Sequence, residues 1–117
     1  MDTVSSIAQT GLLYNQRRLG QSANNVANVE TRGFEASREV ASDQVVASRP
    51  AGVTSEARET NDPHPVFFED GAEVLGSNTS LISETTERLG ASHAFKANLQ
   101  TIRTQDELTE SLLSIKA

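Results

Sequence analysis

Ala23-Asn24-Asn25-Val26-Ala27-Asn28, continued by Thr31-Arg32-Gly33-Phe34, is the stretch on which the reading of this chain turns. It places three asparagines within five residues at the end of a segment that is apolar on one side. Asn is a poor helix-interior residue because its amide competes locally for backbone hydrogen bonds. Leu12, Leu19 and Val26 nevertheless recur every seven residues up to this point, the period of a helix face packed on another helix. A helical stripe that runs into a polar, hydrogen-bonding terminus suits packing against protein better than catalysis.

Working outward, residues 3–28 support a helix with Asp2 or Thr3 as its N-cap. Its stripe is Val4, Ala8, Leu12, Asn15, Leu19, Ser22 and Val26, with Ile7, Gly11 and Ala23 beside it. Small and polar members make this a weak face for a lone helix and a suitable one for a close partner. Such a partner is offered by residues 80–116, where Leu81, Ile82, Leu89, Phe95, Leu99, Ile102, Leu108, Leu112, Leu113 and Ile115 follow at mostly three- and four-residue steps. Asn78, Thr79 or Ser80 can cap that helix. Gly90 is its interior weak point, at about 1 kcal/mol relative to Ala. A helix of this length spans roughly 54 Å, long for a small domain, and helices this long are usually coiled coils or parts of one.

Between the two helices lie all three prolines and a mixture of short apolar groups and breakers. Val45-Val46, Val53 and Val66-Phe67-Phe68 suit short strands, while Pro50, Gly52, Asn61-Asp62-Pro63 and Asp70-Gly71 are turn signals. The expectation is a β-hairpin or an irregular arm. Glu35 to Ala47 contains no Gly or Pro, so continued helix over 35–48 is the alternative. The fold class expected is mainly α: two long terminal helices in an antiparallel coiled coil around a short middle segment. Residues 1–34 then form the first helix and its turn, 35–78 an acidic arm, and 79–117 the second helix, with the two helices making one domain.

Composition restricts function. The chain has 117 residues, no Trp, one Tyr, four Phe and no Cys. That is thin material for an aromatic core, and it rules out disulfides, thiolate metal sites and cysteine nucleophiles. No run approaches the ~20 apolar residues of a membrane span, and no basic region followed by an apolar stretch marks a cleavable signal. The net charge of −6 is concentrated in residues 39–78, which alone carry −6, against +1 for residues 1–38 and −1 for 79–117. Nucleic acid requires a basic surface and is excluded as a partner. Near-neutral terminal helices can meet while the acidic middle faces solvent.

The catalytic inventory is poor. His64 stands between two prolines and His93 in the long helix, without a clear third ligand, whereas tetrahedral zinc needs more. Glu69-Asp70 and Glu73 pair acids, but acidic loop residues are normally just solvated. Ser and Thr form no nucleophile elbow, and Gly11 and Gly20 form no phosphate loop because the helical period runs through both. Asn78-Thr79-Ser80 fits a glycosylation sequon, which capping explains more simply. No enzyme, cofactor, metal or small-molecule substrate is expected.

These motifs carry a resemblance. Ala23-Asn24-Asn25-Val26-Ala27-Asn28, with Glu30-Thr31 and Gly33-Phe34, resembles the N-terminal signature of the flagellar basal-body rod and hook axial proteins. Ala94-Phe95-Lys96-Ala97-Asn98, leading through Thr101 to Leu112-Leu113, looks like the matching C-terminal signature. Asp62-Pro63-His64-Pro65-Val66-Phe67-Phe68-Glu69-Asp70-Gly71 is similar to a stretch of the C-type proximal-rod members. The resemblance covers residues 3–34 and 60–116. His93 replaces a common Arg, no Pro precedes Gly71, and a Gly-Tyr-Val-like segment before the last helix is absent.

The resemblance implies a structural subunit whose terminal helices pair and stack with neighbours, itself and other rod subunits, into the periplasmic rod. It implies delivery by the flagellar type III export apparatus without a cleavable signal. It also implies assembly and packing roles for Leu12, Leu19, Asn24, Asn25, Val26, Asn28, Gly33, Phe34, Phe95, Asn98, Leu99, Ile102, Leu112 and Leu113. In that setting Asn24, Asn25 and Asn28 satisfy backbone groups where the helix turns, and Gly33 supplies a positive-φ turn. The rival readings are a cytosolic helical adaptor or chaperone, and a coiled-coil component of a related secretion system.

Overall fold

A computed structural model describes residues 3–116. Helix α1 spans Thr3–Ala27, hairpin strands β1 and β2 span Ser37–Val46 and Arg49–Glu59, β3 and β4 span Val66–Glu69 and Ala72–Leu75, and helix α2 spans Leu81–Lys116. The proposed cap Asp2 lies outside the described residues. For α2 the cap is Ser80, whose hydroxyl accepts the Ser83 N–H at 3.3 Å.

The helices run antiparallel. Arg18 meets Glu87 at 2.6 Å, the Ser22 hydroxyl donates to the Glu84 carbonyl at 3.3 Å, and Gly11 lies against Asn98. Of the stripe expected on α1, the seam keeps the small and polar members Ala8, Asn15 and Ser22, with Gly11 beside them, and not the heptad of Leu12, Leu19 and Val26. It runs through Ser5, Ala8, Gly11, Asn15, Ser22 and Asn25, all buried, and the three apolar residues flank it half-buried. Small residues take the seam because they let the backbones approach. A Cβ on Gly11 would stand 2.7 Å from Asn98 Oδ1.

Residues 35–48 are not helix. β1 pairs antiparallel with β2, and the hairpin lies along a second side of α1, next to the one that packs on α2. The Val53 N–H donates to Thr10 Oγ1 at 3.0 Å near one end, and Asn25 holds Ser37 at the other. The lengths match: fifteen helical steps from Thr10 to Asn25 and seven strand steps from Gly52 to Glu59 each cover about 23 Å. Pro50 and Gly52 do not make the turn. They sit inside β2, where the register slips between Gln44 and Val45. Gly52, at φ 127°, lets Thr10 come where a Cβ would collide with it. The turn is Ala47-Ser48, both at positive φ. In the second hairpin Asp70-Gly71 turns as expected, again with both residues at positive φ.

The result is a plank of 79 × 28 × 15 Å with α1 between α2 and the first hairpin. It is too thin for an enclosed core. Among the described residues the buried apolar ones are Ala8, Ala36 and Ala91, while many large ones stay exposed. The mainly α description holds only coarsely, since strand is a substantial fraction of the chain.

Candidate functional site

Where the two helices and the first hairpin meet, the buried material is polar. Asn25 grips β1 with both ends of its amide: Nδ2 donates to the Ser37 carbonyl at 2.8 Å, and Oδ1 accepts the Ser37 N–H at 3.2 Å. The same Nδ2 reaches Glu84 Oε1 at 3.0 Å. The Asn25 carbonyl accepts from Thr79 Oγ1 at 3.1 Å. Asn78 repeats the device from the α2 side, accepting the Ala36 N–H at 2.6 Å and donating to the Asp62 carbonyl at 3.0 Å. An asparagine amide offers donor and acceptor on one planar group, so it can stand in for a strand neighbour and bind loose backbone. Two of them fasten Ala36-Ser37 between the helices.

The three asparagines of the opening motif therefore differ. Asn25 is 1 % exposed and joins three elements. Asn28 is at the surface and donates to the Asn24 carbonyl at 2.9 Å, closing the last helical turn. Asn24 is exposed on the outer side. Gly33 takes φ 66° and its N–H donates to the Leu75 carbonyl at 2.9 Å, tying the turn to β4, and Phe34 is half-buried beside it. Glu84, Asn78, Ser22 and Thr79 complete the junction. Ser22 belongs to the stripe read along the first helix, Asn78 and Thr79 stand out in the sequence as capping candidates within a sequon, and nothing marks Glu84.

A second latch sits below this junction. His64 Nδ1 is 2.7 Å from the Gly76 carbonyl, and Nε2 is 3.4 Å from Glu35 Oε2. The Gly76 carbonyl, and then the Glu35 carboxylate, raise the imidazole's pKa above its ordinary value against the opposing pull of burial. His93 lies apart and exposed on α2, and Glu69, Asp70 and Glu73 are exposed on the second hairpin. Arg32 pairs with Glu69. Among the described residues no group of three or more His, Cys, Asp or Glu is placed to hold a metal, and no helix is long and apolar enough to cross a membrane.

The remaining residues lie along α2. Phe95, Asn98, Leu99 and Ile102 are half-buried beside α1. Leu112 and Leu113 are not, because α1 has ended. With Gly11 opposite Asn98 and Ser22 opposite Glu84, the start of α1 falls opposite about residue 105. From Asp106 to Lys116 every residue of α2 is exposed. About three turns, roughly 16 Å of helix, project past α1. At the other end of the plank, Val29, Arg32, Pro65, Phe67, Phe68 and Val74 line an open groove of about 450 Å³.

The family model for the C-terminal region of the flagellar basal body rod FlgEFG proteins matches residues 73–115, just over a third of the chain. The match takes in most of β4, the Asn78 and Glu84 parts of the junction and nearly all of α2, and it supports a flagellar rod/hook family member. No curated protein matches the chain.

Proposed function

We propose that this member of the flagellar rod/hook family is a non-enzymatic axial subunit of the basal-body rod that assembles through its terminal helices, with itself and with other rod subunits. The observation that carries the reading is the projecting end of α2. Leu108, Leu112, Leu113 and Ile115 lie there on a regular helix, with nothing among the described residues to cover them. Burying each contributes about 1.5–3 kcal/mol when a neighbour supplies the cover. The thin plank supports the same reading, since a chain whose own interior is alanine and polar groups completes its packing against other subunits. In the assembled rod the helix pair continues as a coiled coil with its neighbours. Delivery is by the flagellar type III exporter into the periplasm, consistent with the absence of Cys.

The test is motility and rod assembly in a strain carrying each of two changes. Removing residues 108–117 abolishes both. Neutralising Glu69, Asp70 and Glu73 together leaves swimming largely intact, because that surface is solvated apart from the Arg32 pair. Normal swimming in the truncated strain, with loss in the triple variant, contradicts the proposal and moves function to the acidic hairpin.

A further inference from the structure

Among the described residues, β3 and β4 pack on each other and on no other helix or strand. The second hairpin is therefore carried by the segments that join it to the body formed by the helices and the first hairpin. Those segments leave the body at Asp62 and Asn78, which the Asn78 amide clips together by donating to the Asp62 carbonyl at 3.0 Å. Beyond the clip, the Gly33 N–H donates to the Leu75 carbonyl, Arg32 pairs with Glu69, and His64 faces Glu35. The first tie is a single backbone bond and the second an exposed ion pair, worth little in water. A two-stranded hairpin this short needs such support.

The His64 tie differs because its two ring nitrogens engage different parts of the molecule. At the base of the hairpin the Gly76 N–H donates to the Pro65 carbonyl at 2.8 Å. The reciprocal antiparallel bond is missing, since Pro65 has no N–H to return. His64 Nδ1 takes its place, 2.7 Å from the Gly76 carbonyl. A carbonyl only accepts, so the Nδ1 hydrogen is fixed there and the ring travels with the hairpin. Nε2 points the other way, to Glu35 Oε2 at 3.4 Å. Glu35 belongs to the body. Asn78 Nδ2 reaches its Oε1 at 3.4 Å, and the next two residues, Ala36 and Ser37, are held by Asn78 and Asn25. In the neutral imidazole Nε2 is a bare lone pair opposite a carboxylate, acceptor against acceptor. In the imidazolium it donates to that carboxylate.

We infer that the second hairpin is a flap fastened to the body by a proton on His64 Nε2. Charged, the ring bridges Gly76 and Glu35 and the hairpin docks. Neutral, it keeps the Gly76 bond, loses Glu35, and the hairpin swings on the Asp62–Asn78 clip. Glu35 is the charged side chain that faces the ring, while Asp62, two residues before it, is exposed, and Arg32 and Glu69 pair with each other. The docked form binds the proton more tightly than the released form. Docking is thus fully favoured below the ordinary imidazole value of about 6.5 and weakens as pH rises through the docked-state value. The groove changes with it, because Val29 and Arg32 stay with the body while Phe67 and Val74 move. The device does not depend on the axial-subunit reading.

The chain has no Cys, so nitroxide labels can be placed at two exposed positions, Ala23 at the end of α1 and Glu73 on β4, through Ala23→Cys and Glu73→Cys in the full chain. Pulsed electron paramagnetic resonance then reads the distance between body and hairpin. At about pH 5 this labelled chain gives one narrow distance; by about pH 9 a second, broad population appears, and the docked-to-released ratio falls at least ~fivefold. Adding Glu35→Gln keeps the narrow distance at both pH values, because its amide oxygen still accepts from Asn78 while its amide nitrogen donates to the bare Nε2. Adding His64→Ala gives the broad population at both. Glu35 and His64 lie outside both helices, so helical circular dichroism matches wild type in each variant. A distance that stays narrow across the whole range without either substitution overturns the inference. So does a pH-dependent broadening that persists in Glu35→Gln or in His64→Ala.

Discussion

Asn25 and Glu84 meet at 3.0 Å across the helix pair, with Asn25 1 % and Glu84 2 % exposed. The contact joins the last turn of α1 to the first of α2, and the same amide holds both backbone groups of Ser37. One side chain therefore sets the helix pairing and the departure of the hairpin.

Removing that amide leaves the Ser37 N–H and the Glu84 carboxylate without it. Asn25→Ala is expected to cost about 2–4 kcal/mol of unfolding free energy. Asn28→Ala, which removes a surface bond within one turn, should cost under about 1 kcal/mol. Glu84→Gln keeps an acceptor for Asn25 and removes a buried charge, so it should fall within about 1 kcal/mol of wild type. Urea denaturation followed by circular dichroism measures all three. Equal losses for Asn25→Ala and Asn28→Ala contradict the division of roles.

Gly11 and Gly20 separate packing from helix propensity. Gly20→Ala adds a Cβ with nothing within 4 Å and should raise stability by up to about 1 kcal/mol. Gly11→Ala gains the same propensity but drives a methyl into Asn98, and overpacking of this kind costs about 1–3 kcal/mol. The two variants should differ by roughly 2 kcal/mol. Adding Asn98→Ala to Gly11→Ala should recover part of the loss, a coupling that a double-mutant cycle measures.

His64 gives the stability a pH dependence of known sign. Its pKa in the folded chain is raised, first by the Gly76 carbonyl and then by Glu35. The folded state thus binds the proton more tightly than the unfolded state, whose imidazole titrates near about 6.5. The stabilisation is fully present below that value and is lost as pH rises through the folded pKa. His64→Gln should flatten this decline, read as the slope of urea-derived stability against pH on the alkaline side of about 6.5. A slope unchanged by the substitution means that the latch does not bind the proton.

Much of this architecture is legible in the residues. The two helices follow from apolar recurrence and from Ser80 ahead of Leu81. Asp70-Gly71 reads as a tight hairpin turn because both residues accept positive φ. Ala47-Ser48 does not, since neither residue type favours that conformation and only the paired strands hold it there. Pro50 and Gly52 mimic a turn signal while serving a bulge. The seam was legible in period and, through Ala8, Asn15 and Ser22, partly in phase. Heptad leucines point to themselves as the interface, whereas close approach at Gly11 and Ser22 puts the small residues inside and Leu12 and Leu19 at the margin. Asn25 belongs to a recognisable motif, but its partner Glu84 is one more polar residue on a long helix. The pairing comes from three-dimensional placement alone.

The end of α2 should be dispensable for folding and indispensable for assembly. Purified chain lacking residues 106–117 is expected to melt within a few degrees of wild type, because every described residue removed is exposed. The direct measurement is the amount of that truncated chain in basal bodies isolated from cells that make it as their sole copy, at wild-type cellular levels. A normally melting subunit that is missing from the isolated basal bodies is the predicted result. Incorporation at the wild-type level, in cells that swim, contradicts the central claim.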